Sequence, residues 1–430
     1  MNILANDGIS ESGKNKLEEY GFNVDLTTVA QDQLVNYINE NSISTLLVRS
    51  ATQVRKDIID NCPSLKIIGR GGVGMDNIDV EYAKSKNINV INTPAASSKS
   101  VAELVFSHLF GCVRFLHESN RSMPLDGDSK FKELKKSYAG GRELAGKKIG
   151  IIGFGRIGQE VAKIAIGIGM EVIFHDKYID ETSLEIKFFD GQNISFNITS
   201  SSFDEVLEKS DFISVHIPAS DKYIIDSKEI AKMKDGVGLL NLSRGGIINE
   251  EELLKNLESG KISFAGVDTF ENEPNPSIKI LMNSNVSLTP HIGAATGEAQ
   301  DRIGVELAEK INEIFNDKDS TINPYYFEFK SHQLDVNEEK NIFNIKYSKQ
   351  GLVELKTSSQ DQALEIVRRR IDEIGTNEPN ILKRGNDRIL VELPGLDDPM
   401  RIKSLLGKTA NLTFRFVTNL SDDSFGSEKL

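Results

Sequence analysis

The chain is poor in cysteine: among its 430 residues only Cys62 and Cys112 occur, each in apolar surroundings and without the spacing of a metal site. Two such thiols exclude a disulfide scaffold and indicate reduced, buried side chains in a reducing compartment, with no metal. Long apolar runs are missing as well. No stretch approaches the ~20 residues that cross a bilayer, and MNILANDGIS has neither the basic start nor the apolar core of a signal peptide. The expected location is the cytoplasm, with no membrane partner. Basic charge is also short: 51 Lys and Arg against 64 Asp and Glu leave a net charge of −13, which argues against nucleic acid as a partner. What remains, 39 % hydrophobic and 27 % charged residues, describes a soluble globular protein, and the length suits about three domains.

The most informative stretch is KIGIIGFGRIG, Lys148 to Gly158. A short apolar strand pattern runs into Gly153, Gly155 and Gly158, and Val161, Ile164, Ala165 and Ile168 then follow at helical spacing, so the glycines sit at a strand-to-helix turn. In that setting Gly153 permits the tight turn, Gly155 lets the backbone approach a pyrophosphate and Gly158 allows close packing of helix on strand. The helix N-terminus adds free N–H groups and a partial positive charge. Asp176 closes a second strand 18 residues after Gly158, where a carboxylate accepts hydrogen bonds from an adenosine ribose. The alternative is an ordinary glycine-rich turn.

Before this stretch, from Met1 to about Asn92, short apolar strands alternate with charged helical segments, the pattern of a parallel α/β sheet. Arg49 and Ser50 follow the strand TLLV, and Arg70 to Gly74 follow KIIG, so arginines and glycine N–H groups stand where an anionic substrate binds in such sheets. SSKSVAELVFSHLFGCVRFL is predicted to be one long helix with an apolar stripe ending at Leu116, in which His108 and His117 are structural. SMPLDGDSKFKELKKSYAGGREL mixes Pro, Gly and charge and reads as a loop. Beyond Asp176, IKFFDG and ISFNI suggest a hairpin. Further strands then deliver His216, Arg244, Asp268 to Glu273, and His291 at their ends.

Arg244, Glu273 and His291 form a chemically coherent set. Removing hydride from a secondary alcohol requires a base for the hydroxyl proton, and imidazole serves both directions near neutral pH. A carboxylate beside it stabilises the imidazolium, while a guanidinium holds a substrate carboxylate and stabilises charge on oxygen. Each taken singly reads equally well as structural.

The strings VRSAT, GRGGVGMDNID, GFGRIGQEVA, NLSRGGIINEEEL, AGVDTFENEP and TPHIGAAT resemble the D-isomer-specific 2-hydroxyacid dehydrogenases over residues 1 to about 323, most closely the phosphoglycerate dehydrogenases. The resemblance implies an α/β fold: a Rossmann NAD-binding domain, 98–290, inserted in a flavodoxin-like substrate domain, 1–97 plus 291–323. It implies His291 as proton donor and acceptor, Glu273 as its partner and Arg244 as the arginine that orients substrate. It places NAD against Val73, Arg156, Ile157, Asp176, Ile217, Leu242, Ser243, Asp268, Gly293 and Ala294, with Asp268 near the nicotinamide amide. The substrate, 3-phosphoglycerate, would meet Arg49, Ser50, Arg70 and Gly74, in a homodimer; a glyoxylate or hydroxypyruvate reductase is the alternative within the family. Nothing matches the serine-sensing regulatory domain of larger members.

QALEIVRRRIDEIG, NEPNILKRGNDRILVELPGLDDP and RIKSLLGKTANLTFRFV resemble instead a soluble segment of SecD, an accessory membrane protein of export. The residues themselves read as a small α+β unit, 340–420. Ala363, Ile366, Val367, Ile371 and Ile374 form a helical stripe, RILVEL and LTFRFV are strands, and Arg368 to Arg370 lie on a solvated face. Residues 324–339 are expected to be a linker and 421–430 a disordered tail. The pairing of an NAD enzyme with an export segment suggests a chance fusion of two reading frames; an export accessory without catalysis is the reading of another class.

Overall fold

The computed structural model describes residues 1–319, 322–327, 329–339, 342–372, 379–385 and 388–393. The chain divides into two compact units, the first of Met1–Asn316 with Glu338–Phe343 and the second of Asp317–Asn337 with Asn344–Leu430. In the first lobe of the first unit the order is β1 (Asn2–Ala5), α1 (Glu11–Glu19), β2 (Asn23–Asp25), α2 (Leu34–Glu40), β3 (Thr45–Val48), α3 (Lys56–Asn61), β4 (Ile67–Arg70), α4 (Val80–Ser85) and β5 (Asn89–Asn92). The strands form one parallel sheet, β2-β1-β3-β4-β5. All four residues of β3 are buried, as a continuous apolar run covered on both faces requires. The order reverses between β1 and β3, so Asp7 and Arg49 meet at the switch point where such sheets bind ligands.

α5 (Ser98–Val113) leads into the second lobe and buries Val101, Ala102, Val105 and Leu109 there. It stops earlier than its periodicity predicts, because Phe115 takes a left-handed conformation at φ 52°. Leu116, expected on the buried stripe, therefore opens the next helix and is 63 % exposed. The predicted loop is corrected to two helices, α6 (Leu116–Asp126) and α7 (Phe131–Ser137). Neither contains a buried residue, so no apolar periodicity announces them, and Pro124 and Gly127 read as loop signals although Pro124 lies in the last turn of α6.

The second lobe continues with β6 (Lys148–Ile152), α8 (Arg156–Gly167), β7 (Glu171–His175), the antiparallel hairpin β8 (Glu181–Lys187) and β9 (Asn193–Thr199), α9 (Phe203–Lys209), β10 (Phe212–Val215), α10 (Ser227–Lys232), β11 (Val237–Asn241), α11 (Glu250–Glu258), β12 (Ile262–Val267), α12 (Ile278–Leu281) and β13 (Val286–Leu288). Its sheet, β13-β12-β11-β10-β6-β7, is parallel throughout, and its order reverses between β6 and β10. Capping boxes at Ser202 and Asp226 and the Asn249 side chain start α9, α10 and α11, so each crossover turns on a residue that satisfies the free helix N–H groups.

α13 (Gly297–Asn316) carries the chain back to the first lobe. It crosses α1 glycine on glycine: a Cβ on Gly304 would lie 2.8 Å from the Cα of Gly13. Arg302 Nε donates to the Ala96 carbonyl and Lys310 Nζ to that of Asn92, tying α13 to the segment between β5 and α5.

In the second unit β14 (Tyr325–Tyr326) pairs antiparallel with β15 (Ser331–His332), and β16 (Leu334–Glu339) pairs with β17 (Ile342–Tyr347). Residues 324–339, read as linker, thus carry strands. α14 (Lys349–Asp372) packs on the antiparallel pair β18 (Asn380–Arg384) and β19 (Arg388–Glu392), burying Ile371 and Ile381. Ile366, assigned to the buried stripe, is 52 % exposed because the helix turns its Ala363, Val367 and Ile371 side inward. Ile374, the LTFRFV strand and residues 421–430 lie outside the described residues. No helix among the described residues is long and apolar enough to cross a membrane.

Candidate active site

The glycine turn after β6 has the shape a dinucleotide needs. Gly153 adopts φ 91°, and a Cβ there would stand 2.4 Å from the His216 carbonyl oxygen. Gly155, the N-cap of α8, has open space above its Cα, whereas a Cβ on Gly158 would stand 2.2 Å from the Gly153 oxygen. The three glycines thus serve turn, ligand approach and packing in that order. Phe154 is buried and stacked on Phe174 at 3.8 Å, which fixes the turn against β7. Asp176 accepts from Phe154 N at 2.6 Å, Tyr178 N at 2.8 Å and Ile179 N at 3.1 Å, and these backbone donors orient its carboxylate beside the turn. Arg156 is exposed at the start of α8, and Ile157 is partly buried. Ile217 lies against Gly153. Leu242 and Ser243 are buried, and Ser243 Oγ donates to Asn241 Oδ1.

Three neighbouring strands, β11, β12 and β13, carry Arg244, Glu273 and His291 just beyond their carboxyl ends. His291 Nδ1 lies 2.8 Å from Glu273 Oε2, and Glu273 Oε1 accepts from Phe270 N at 2.9 Å. A carboxylate held by backbone on one oxygen leaves the other for the imidazole, so Nδ1 carries the hydrogen and the neutral ring keeps its lone pair at Nε2. His291 itself sits at φ 55°, in the left-handed region. The turn that holds it there is built by Asp268, which is 1 % exposed. Its Oδ1 accepts from Thr289 Oγ1 and Ile292 N, and its Oδ2 from Gly293 N. Asp268, expected beside the nicotinamide amide, holds the His291 turn through these three bonds. Ser100 Oγ and Gln300 Nε2 close the same turn on the carbonyls of Gly293 and Ala294.

Two histidines that the sequence offered lie deeper. His108 hydrogen-bonds Ser287 and Thr289, and burial lowers its pKa. His216 is bonded to Ser214 through Nε2, its Nδ1 is buried without a protein partner, and burial pushes its pKa down to about 3. Both rings are neutral and structural. His117 is exposed on α6. Of the thiols, Cys62 is buried and Cys112 partly so, and burial raises them to about 11 and about 12.

In the first lobe the Arg49 loop is fixed by groups the sequence reading passed over. Asp7 Oδ2 accepts from Arg49 N at 2.6 Å and from Thr52 N, while Asn77 Nδ2 donates to the carbonyls of Arg49 and Thr52. Ser50 is exposed beside them. Asn92 Nδ2 donates to the carbonyl of Val73, itself 37 % exposed. The glycines after β4 also make room for guanidiniums. A Cβ on Gly72 would stand 1.9 Å from Arg70 Nη1, and one on Gly74 would stand 1.5 Å from Arg244 Nη2. Gly74, expected against the substrate, makes room for Arg244 at that place. Burial, and then the nearby charge of Arg244, lower the Arg70 pKa to about 10, with Asp76 opposing, Arg49 adding and Asp7 opposing. Arg70 is therefore within reach of the charges of Arg49, on its own lobe, and Arg244, on the other.

Known proteins resemble this chain. The model of the D-isomer specific 2-hydroxyacid dehydrogenase NAD binding domain matches residues 106–293, and that of the N-terminal part of the P1 domain of the protein translocase subunit SecDF matches residues 360–419. A hydroxypyruvate reductase of Thermotoga maritima is 46 % identical over 286 residues, 65 % of this chain and 87 % of that protein. A D-3-phosphoglycerate dehydrogenase of Methanocaldococcus jannaschii is 39 % identical over 319 residues, 73 % of this chain and 57 % of that protein, so the chain spans little more than half of that relative. The NAD+-bound 3-phosphoglycerate dehydrogenase of Entamoeba histolytica superposes with a TM-score of 0.57 at 26 % identity, over 75 % of this chain and 97 % of that one. Fold, glycine turn and close relatives agree: the chain, with its SecD-like C-terminal region, belongs to the D-isomer specific 2-hydroxyacid dehydrogenases and takes NAD as its cofactor.

Proposed function

We propose that this enzyme oxidises 3-phospho-D-glycerate to 3-phosphooxypyruvate, the entry step of serine synthesis, as a cytoplasmic homodimer. The observation that supports a phosphorylated substrate is the placing of Arg70 near the charges of both Arg244 and Arg49, a repulsion that an anion relieves. One guanidinium matches the lone carboxylate of a small hydroxy acid; a carboxylate and a phosphate together match several.

His291 Nε2 takes the proton from the hydroxyl oxygen as the hydride leaves the carbon that bears it, Glu273 stabilises the imidazolium that forms, and Arg244 holds the carboxylate and stabilises charge on the oxygen. Gly153, Gly155, Gly158 and the start of α8 hold the pyrophosphate of the cofactor, and Asp176 holds its ribose. NAD, when bound, supplies the hydride acceptor.

A second reading, reduction of hydroxypyruvate, is favoured by the relative matched at 46 % identity over 87 % of its length. The test compares NADH formation from 3-phosphoglycerate and from unphosphorylated glycerate. The first reading expects a preference of at least about tenfold in kcat/KM for the phosphorylated acid, the value of one charge-assisted contact. It also expects Arg49→Ala and Arg70→Ala to raise KM for that acid about 10- to 150-fold. Equal turnover of the two acids transfers the assignment to the second reading.

A further inference from the structure

Arg244 belongs to the second lobe, yet its guanidinium is held largely by the first. Nε donates to Asp76 Oδ2 at 3.0 Å, Nη1 donates to the carbonyl of its neighbour Ser243 at 2.7 Å, and Nη2 rests over Gly74, where any Cβ would collide with it. The loop that carries Asp76 is itself anchored. Arg55 Nη2 donates to the Asp76 carbonyl at 2.8 Å and Arg55 Nη1 to Asp79 Oδ1 at 3.0 Å. The next residue, Asn77, clamps the Arg49 loop through its side chain and receives Val54 N on its carbonyl.

From this geometry we infer that Asp76 is a positioning residue of the reaction, setting the angle at which Arg244 meets the substrate carboxylate. The inference rests on the reading of Arg244 as the substrate-holding arginine. Its content is directional. An arginine bonded at Nε by a carboxylate and at Nη1 by its own backbone cannot swing about its long side chain, and its remaining Nη hydrogens keep one orientation. Asp76 is 60 % exposed, so the pair lies in well-solvated surroundings and is weak as a source of stability. Because the two partners lie on different lobes, the arginine is correctly aimed only when the lobes are together, and Asp76 thereby links assembly of the site to closure. Asp76 and Asn77 are adjacent, so a single loop sets both Arg244 and Arg49.

The experiment is a double-mutant cycle on the full chain, with steady-state kinetics in the hydroxy acid and in NAD. Asp76→Ala is expected to raise KM for the hydroxy acid about 5- to 20-fold, with kcat reduced much less, KM for NAD unchanged and the melting temperature unmoved. Asp76→Asn, which keeps an acceptor for Nε–H, is expected to recover most of the loss. Arg244→Lys, which has no equivalent of Nε, is expected to raise KM more strongly, and Asp76→Ala added to it is expected to cost little further. If Arg244→Lys raises KM while Asp76→Ala leaves it unchanged, or if the two losses simply multiply, Asp76 does not position Arg244 and the inference falls alone. If Arg244→Lys leaves KM unchanged, the assignment of Arg244 fails and the inference goes with it.

Discussion

A carboxylate that faces an imidazole at 2.8 Å and a backbone N–H on its other side has little freedom to do anything but hold the ring. Replacing His291 with Ala should therefore lower turnover at least about 10²-fold, the usual loss of a general acid–base, with little change in the affinity for NADH. Near-normal turnover would remove His291 from the reaction. Glu273→Gln should lose less, since an amide still orients the ring but no longer stabilises the imidazolium; turnover equal to the parent's counts against the pair. His216 governs a different response. Its folded pKa of about 3 lies below the ordinary 6.5, so the folded protein resists a proton that the unfolded chain accepts. The stability it contributes is whole above about pH 6.5 and is lost as the pH falls from there towards 3, at no more than about 1.4 kcal/mol per pH unit. The melting temperature of a His216→Gln variant should decline less between about pH 7 and 4 than that of the parent, and identical slopes would refute the assignment. At this scale His291, Glu273 and Arg244 were legible because each follows an apolar strand, and the strand marks the residue beyond it as a ligand-side group. Asp76 was not, because its partner is 168 residues away and no local pattern marks a contact that depends on how two sheets meet.

Among the elements, the crossing of α1 and α13 is the most exacting. With Gly13 and Gly304 back to back, a methyl group on Gly304 would stand 2.3 Å from Ser10 Oγ and 2.8 Å from Gly13 Cα, both on or beside α1. Gly304→Ala should destabilise the protein by about 1–3 kcal/mol through forced separation of the helices, although alanine favours the helical state by itself. Gly167→Ala, in open space at the end of α8, serves as the control and should be neutral or mildly stabilising. Equal melting temperatures for the two variants would show that the crossing yields easily. The same scale shows where the sequence could be read and where it could not. The strands of both sheets were visible as apolar runs bounded by turns. α6 and α7 were invisible, since a helix that buries none of its residues leaves no stripe in the sequence. The glycines of the loop after β4 were seen, but the room they make for Arg70 and Arg244 was not, because no local pattern shows a guanidinium that arrives from elsewhere.

At the scale of the whole molecule, every residue assigned to cofactor or substrate precedes Gly297, and the second unit forms its own helix and strand pairs. A chain ending at Tyr326 should then keep full activity and be at least as soluble as the complete one. If the shortened protein folds but has no activity, the SecD-like region takes part in catalysis and the reading of a chance fusion is wrong. Within the first unit the lobes differ in a way that the order of synthesis exposes. The second lobe is one continuous stretch, whereas the first is assembled from β1–β5 and from α13, which closes on α1 and on the carbonyls of Asn92 and Ala96. As the chain leaves the ribosome, the nucleotide-binding lobe has all its strands while the lobe made before it still lacks a wall. That earlier lobe must wait, with the apolar side of β4 and α1 uncovered, until Ile303 and Leu307 arrive, so of the two lobes the one translated first is completed second.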